Sequence, residues 1–259
     1  SRHNAPVILM LHGFMGSGTD WAPAAQHLSP VYRCLCPDLP GHGVYPANAG
    51  ATLEETAVML LRGLDRHGVE CCGLTGYSMG GRIALYLSVH YPKRFSCLIL
   101  ESASPGIADS AARLERRRQD EALARKLSGL YQDELEFYAF LVAWHRQPLF
   151  NTLAKKSELL QRRIARMRHN DSRALAAALR GLGTGSQPSL WECLSAIHVP
   201  VLLITGAHDQ KFTAIAEAMA TTLPRARHEQ FQECSHCVHE EAPERFAETA
   251  LRFLHETGV

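Results

Sequence analysis

Ser78 sits at the centre of Gly76-Tyr77-Ser78-Met79-Gly80, between the short apolar run Cys71-Cys72-Gly73-Leu74-Thr75 and the helix-like run Arg82-Ile83-Ala84-Leu85-Tyr86-Leu87. That is a strand, a sharp turn and a helix with a hydroxyl at the apex, the pattern of a nucleophile elbow. The flanking glycines suit a serine whose backbone must sit strained with no bulk beside it. The start of a helix also offers free N–H groups that can hold an oxyanion. A serine hydroxyl is a weak base or nucleophile until a histidine takes its proton and a carboxylate orients that histidine. In elbow enzymes the chain order is serine, acid, histidine. Val199-Pro200-Val201-Leu202-Leu203-Ile204-Thr205-Gly206 reads as a buried strand ending in a glycine turn, and Asp209 follows. The next apolar stretch ends at Phe231, and His236 follows in Glu233-Cys234-Ser235-His236. Both residues fall in loops beyond the carboxyl ends of strands, at the sheet edge that carries Ser78. His239 is the nearest competitor, but His236 comes first after the strand and before a helix opened by Pro243. Glu101, after the strand Cys97-Leu98-Ile99-Leu100, is a possible substitute acid. It reads better as a polar strand end facing the pocket.

Upstream, the strand Val7-Ile8-Leu9-Met10-Leu11 runs into His12-Gly13-Phe14-Met15-Gly16. A glycine-rich turn there would present a backbone N–H toward Ser78, so the amides of Phe14 and Met79 are the expected oxyanion hole. His12 reads as a brace for this loop. Asp38-Leu39-Pro40-Gly41-His42-Gly43, after the strand-like Arg33-Cys34-Leu35-Cys36, reads as a second rim loop with His42 as a turn residue. Arg82 lies one helical turn after Ser78 on the same helix face, near the pocket floor, where an arginine is a natural fork for a substrate carboxylate.

Strands alternate with helical patterns from residue 7 to about 101 and again from about 199 to the end, which predicts a doubly wound, mostly parallel α/β sheet. Thr52 to Arg66, Arg82 to His90 and Pro243 to Leu254 have helical spacing. Residues 104–190 carry no convincing strand and four helical stretches: Ala111 to Gly129, Glu134 to Trp144, Ser157 to His169 and Ser172 to Leu182. The predicted organisation is therefore a core of residues 1–103 and 191–259 with a helical cap, 104–190, over the serine. The cap carries a net charge of +6 and the remainder −5, although the whole chain of 259 residues is at +1. A basic cap over a nucleophile favours an anionic small molecule. The near-neutral total argues against a nucleic-acid or membrane-surface protein, and no apolar run reaches membrane-spanning length. Ser1-Arg2-His3-Asn4 leads straight into a strand without a signal-peptide pattern. Of eight cysteines, Cys34, Cys36, Cys71, Cys72 and Cys97 lie in strand-like runs and read as small core residues, which suits a reducing, cytoplasmic compartment. Cys234-Ser235-His236-Cys237-Val238-His239 has metal-ligand residue types, but His236 is needed for the serine, so no metal is expected. A monomer or weak homo-oligomer is expected.

Across its whole length the chain resembles an α/β-hydrolase. Within that superfamily it is similar to the 2-succinyl-6-hydroxy-2,4-cyclohexadiene-1-carboxylate (SHCHC) synthases of menaquinone and phylloquinone biosynthesis. The resemblance rests on Gly76-Tyr77-Ser78-Met79-Gly80-Gly81-Arg82, on Ser104-Pro105-Gly106 followed by Arg113-Leu114-Glu115-Arg116-Arg117-Arg118-Gln119-Asp120, and on Trp144-His145-Arg146-Gln147-Pro148-Leu149-Phe150. Met167-Arg168-His169-Asn170, Gln187-Pro188-Ser189-Leu190-Trp191 and Asp209-Gln210-Lys211-Phe212 add to it. The resemblance implies that Tyr77, Arg82, Arg116, Trp144 and Arg168 contact substrate, with Arg82, Arg116 and Arg168 converging above Ser78. It also implies a lyase: a tricarboxylate loses a ring proton to a base, electrons shift through the ring, and pyruvate leaves without a cofactor. Two departures are His145, where an aromatic is expected, and Cys234-Ser235-His236-Cys237, which replaces a plainer Ala-Gly-His. The triad is equally consistent with a serine hydrolase, either a carboxylesterase or a C–C bond hydrolase acting on an anion, or with a non-catalytic ligand receptor on the same scaffold.

Overall fold

The computed structural model describes residues 5–45 and 51–258. Ser1–Asn4, read above as running into the first strand, lie outside the described residues. Six strands form one sheet: β1 Val7–Leu11, β2 Arg33–Leu35, β3 Cys72–Tyr77, β4 Phe95–Glu101, β5 Val201–Gly206 and β6 Ala226–Phe231, in the order β2-β1-β3-β4-β5-β6. Every pairing is parallel. Strands β1, β3 and β5 are buried along their whole length, which is why they read as unbroken apolar runs rather than alternating ones.

The pleat divides these side chains between two cores. Val7, Leu9 and Leu11 face one side with helices α2 Leu53–Arg66, α3 Met79–His90 and α8 Gln210–Thr222. Ile8 and Met10 face the other with α1 Ala22–Leu28 and α10 Pro243–Thr257. α2 opens on a capping box in which Thr52 Oγ1 accepts from Glu55 N (3.2 Å) and Thr52 N donates to Glu55 Oε2 (2.9 Å).

Between β4 and β5 the chain is helical: α4 Ser110–Gly129, α5 Glu134–Trp144, α6 Ser157–Met167 and α7 Ser172–Leu182. Aspartates cap three of them, with Asp109, Asp133 and Asp171 accepting from Ala112 N, Glu136 N and Arg173 N. Ala124, Leu127, Phe140, Ile164, Met167 and Leu175 close a third core, which reaches Met15 of the loop after β1. After β6 comes the short α9, Val238–Glu241.

The cysteine reading needs two corrections: Cys71 precedes β3 and is exposed, because the strand begins one residue later, and Cys36 lies just past the end of β2. Cys34 and Cys36 are half-buried and Cys97 is fully buried, and burial pushes the Cys97 thiol up to about 12. Among the described residues, no helix is long and apolar enough to cross a membrane.

Candidate active site

β3 ends at Tyr77, α3 begins at Met79, and Ser78 makes the whole turn between them with φ 51° and ψ −108°. That left-handed backbone is strained for a residue with a Cβ and persists only where the surroundings enforce it. They do so through glycine. A Cβ on Gly76 would lie 2.5 Å from the Gly80 carbonyl oxygen, and one on Gly80 would lie 2.1 Å from that of Leu11. The strand and helix therefore close to a separation that only glycine allows.

His236 comes from the loop after β6 and Asp209 from the loop after β5. His236 Nδ1 lies 2.6 Å from Asp209 Oδ2, and His236 Nε2 lies 3.0 Å from Ser78 Oγ. A carboxylate can only accept, so Nδ1 carries the proton and Nε2 is left to accept from the serine hydroxyl. Asp209 is itself fixed by accepting from Phe212 N at the start of α8. The Phe212 ring stands edge-on to His236 with centroids 4.6 Å apart. Asp209 and His236 are buried, so their pairing is shielded from water.

Ser78 opens into a cavity of about 870 Å³ lined from both the sheet edge and the helical segment. Phe14 and Met79 lie on its wall. The Met79 amide, first in α3, has no acceptor within its own helix. Tyr77 and Trp144 line it as well, with Tyr77 packed beside the His236 ring (5.3 Å) and Trp144 edge-on to Phe14 (6.1 Å).

Arg82 is buried in the cavity wall. Its N–H caps back onto Ser78 O at 3.1 Å, and its guanidinium donates to the neutral Gln187 Oε1 at 3.2 Å. Among the described residues it forms no ion pair. Burial first, and then the neighbouring Arg116 charge, push the guanidinium down to about 10. Arg116 also lines the cavity, where Asp120 holds its Nε at 2.7 Å, while Arg117 and Arg118 point outward into solvent.

Two expectations fail. Arg168 does not reach the cavity: it lies just past the end of α6, half-exposed, with Glu134 at 3.5 Å. The buried face of α6 is Arg163, Ile164 and Met167, and a residue one step beyond Met167 is turned about 100° away from that face. Arg163 occupies the cavity wall instead, and its place beside Ile164 and four before Met167 was a readable signal. Glu101 does not face the pocket. It is completely buried and accepts from the backbone N and Nδ1 of His239. Lys211 and Gln147, which also line the cavity, were not singled out from the sequence as contacts.

His12 accepts from Leu39 N at 2.9 Å through Nε2 and bonds Gly13 O through Nδ1, bracing the rim. His42 bonds Pro40 O within its own turn. Glu101, Cys237 and His239 bring ligand-type atoms within 4.8 Å of one another. The Cys237 sulfur accepts from the Arg163 guanidinium and the Glu101 carboxylate accepts from His239 Nδ1, so these ligand-type atoms have hydrogen-bond partners within the protein.

The chain matches the α/β-hydrolase fold family over residues 6–243. It is 38% identical to a Bacillus subtilis (strain 168) protein whose name assigns it provisionally to the 2-succinyl-6-hydroxy-2,4-cyclohexadiene-1-carboxylate synthases, covering 96% of this chain and 90% of that one. It is 31% identical to the synthase of that name from Serratia proteamaculans (strain 568), covering 98% and 94%. The solved structure of MenH from S. aureus superposes with a TM-score of 0.91 at 33% identity over 98% of this chain and 95% of that one. The chain is thus an enzyme of the α/β-hydrolase family and belongs, within it, to the SHCHC synthases.

Proposed function

We propose that the enzyme eliminates pyruvate from 2-succinyl-5-enolpyruvyl-6-hydroxy-3-cyclohexene-1-carboxylate to give SHCHC, a step toward menaquinone or phylloquinone, with Ser78, His236 and Asp209 as the catalytic unit. His236 Nε2 takes the Ser78 proton, and Asp209 stabilises the imidazolium that forms. The serine oxyanion then removes a ring proton, the electron pair shifts through the ring, and the C–O bond to the enolpyruvyl group breaks. The amides of Phe14 and Met79 hold the developing negative charge. Residues 104–190 act as a cap that excludes water from this step.

The observation that carries the reading is Arg82. A guanidinium buried one helical turn from Ser78, facing a cavity without a carboxylate partner, is costly by itself. A substrate carboxylate repays that cost through a bidentate, charge-assisted contact. The rim Lys211 supplies further positive charge for a tricarboxylate, Arg116, its charge balanced by Asp120, lines the cavity beside Arg82, and Tyr77 and Trp144 supply the apolar walls. A neutral-ester hydrolase gains nothing from a buried arginine at this position.

The test compares pyruvate release from the enolpyruvyl compound with cleavage of an aryl acetate. The lyase reading expects the first to be much the faster. Efficient ester cleavage with no pyruvate release identifies a serine hydrolase.

A further inference from the structure

We propose that the helical segment holds the catalytic histidine in place as well as covering it, and that Arg163 is the main positioning residue in that clamp. The inference rests on His236 activating Ser78, as proposed above.

Residues 232–237 belong to no helix or strand, so regular structure does not hold the His236 backbone. It is held from residues 149–166 instead. His236 N donates to Leu149 O at 3.2 Å, and the Phe150 ring stands edge-on to the imidazole. On one side of His236, Cys237 Sγ accepts from Arg163 Nη1 at 3.0 Å. Arg163 Nη1 also donates to Glu240 Oε1, and its Nε donates to His145 Nε2 at 3.2 Å. Arg166 takes the other Glu240 oxygen at 2.8 Å and reaches Asp20 Oδ1 at 2.9 Å. On the other side of His236, Ser235 donates through N and Oγ to Glu241 Oε1. Glu241 in turn accepts from Thr152 Oγ1, and its backbone oxygen accepts from Lys156 Nζ. Both neighbours of His236 are thus tied to side chains outside the sheet core.

The charges balance, with Arg163 and Arg166 against Asp20 and Glu240. This explains how a guanidinium with only 2% of its side-chain surface exposed is tolerated under the active site. It also explains His145, where an aromatic was expected: a neutral imidazole there accepts a hydrogen bond that a phenyl ring could not. Because Arg163 is also cavity wall, it could instead be read as another carboxylate anchor. Its Nε and Nη1 are already committed to protein partners, which favours positioning.

Two variants separate these roles. Arg163→Met removes the central contact. Thr152→Val with Lys156→Met loosens the Glu241 side at partly exposed positions and keeps the fold testable if the first variant is unstable. Each is assayed for pyruvate release and for labelling of Ser78 by an uncharged fluorophosphonate, which needs no carboxylate anchor. Positioning expects Arg163→Met to lower kcat and the labelling rate together by roughly ten- to a hundredfold, with KM within about twofold, and Arg163→Lys to recover part of the loss. The double variant is expected to slow labelling by roughly three- to tenfold. A raised KM with unchanged labelling makes Arg163 an anchor and overturns the proposal, as does wild-type labelling in a folded double variant. A wild-type protein that labels but releases no pyruvate would overturn the lyase reading and leave this one standing.

Discussion

Ser78 keeps its strained backbone because its neighbours leave no alternative, and that makes Gly80 as diagnostic as the serine. In Gly80→Ala the new methyl meets the Leu11 carbonyl, a backbone atom at the carboxyl end of the buried strand β1 that cannot step aside. Overpacking of this kind costs about 1–3 kcal/mol, so the urea midpoint should fall and Ser78 labelling should slow with it. An alanine variant with wild-type stability would show that the strand–helix approach is looser than described. The arginines separate in the same way. Arg82→Ala leaves a substrate carboxylate without its buried partner, and about 1.5–3 kcal/mol for such a contact means a drop in kcat/KM of roughly ten- to a hundredfold. Arg168→Ala removes one surface ion pair with Glu134, which exposed pairs of this type value at under about 1 kcal/mol, and kcat/KM should stay near wild type. Equal losses in both variants would place Arg168 in the site after all. The serine, acid and histidine were legible because chain order and strand ends constrain them tightly. The choice between Arg163 and Arg168 was not, because resemblance aligns positions while helix phase decides which of them face inward.

Elements were more legible than their edges. α5 and α7 were read to the residue, since apolar periodicity and an aspartate cap agree on where each begins. α3 starts three residues earlier than Arg82, because Met79 to Gly81 look like turn residues while packing as the first turn of a helix. The clamp between α6 and the His236 loop was illegible for a different reason: its partners are more than seventy residues apart, and no local pattern announces such a pairing. The clamp has a consequence for acid stability. His145 caps the end of α5, where burial first, and then the Arg163 charge, push its imidazole down to about 4. His42 is pushed down to about 3, chiefly by burial. An unfolded histidine takes up its proton near pH 6.5, so between about 6.5 and 4 the unfolded chain binds protons that the folded protein refuses. Stability should therefore be level above pH 6.5 and decline as the pH falls below it, by up to about 1.4 kcal/mol per pH unit for each such histidine. Urea unfolding at pH 7.5, 5.5 and 4.5 measures the slope, and His145→Gln should make it shallower. An identical slope in that variant would mean that His145 is not held neutral in the folded state.

At the scale of the whole molecule, residues 104–190 carry a net charge of +6 and the rest −5, so the chain is electrically asymmetric, and its positive part supplies one wall of the cavity. Some of that charge is spent locally, for example where Arg125 and Arg180 share Glu121. Arg117 and Arg162 remain exposed, and they lie on the helices that also carry Arg116 and Arg163 to the cavity. Such a field raises the rate at which an anion finds the site more than it strengthens the bound state. The two effects respond differently to salt. Exposed charges are screened once the Debye length drops from about 10 Å at 0.1 M to about 3 Å at 1 M, whereas the desolvated Arg82 contact is screened far less. If association limits turnover at low substrate, kcat/KM for the tricarboxylate should fall by roughly tenfold across that range while kcat moves little. Arg117→Gln with Arg118→Gln takes two outward charges from α4 without touching the cavity wall. It should lower kcat/KM at low salt, flatten the salt dependence and leave kcat unchanged. A neutral fluorophosphonate, which the field does not steer, should label both proteins at the same salt-independent rate. A salt dependence equally steep in the variant would locate the attraction in the buried arginines, and the basic exterior would then be solvated surface without a part in capture.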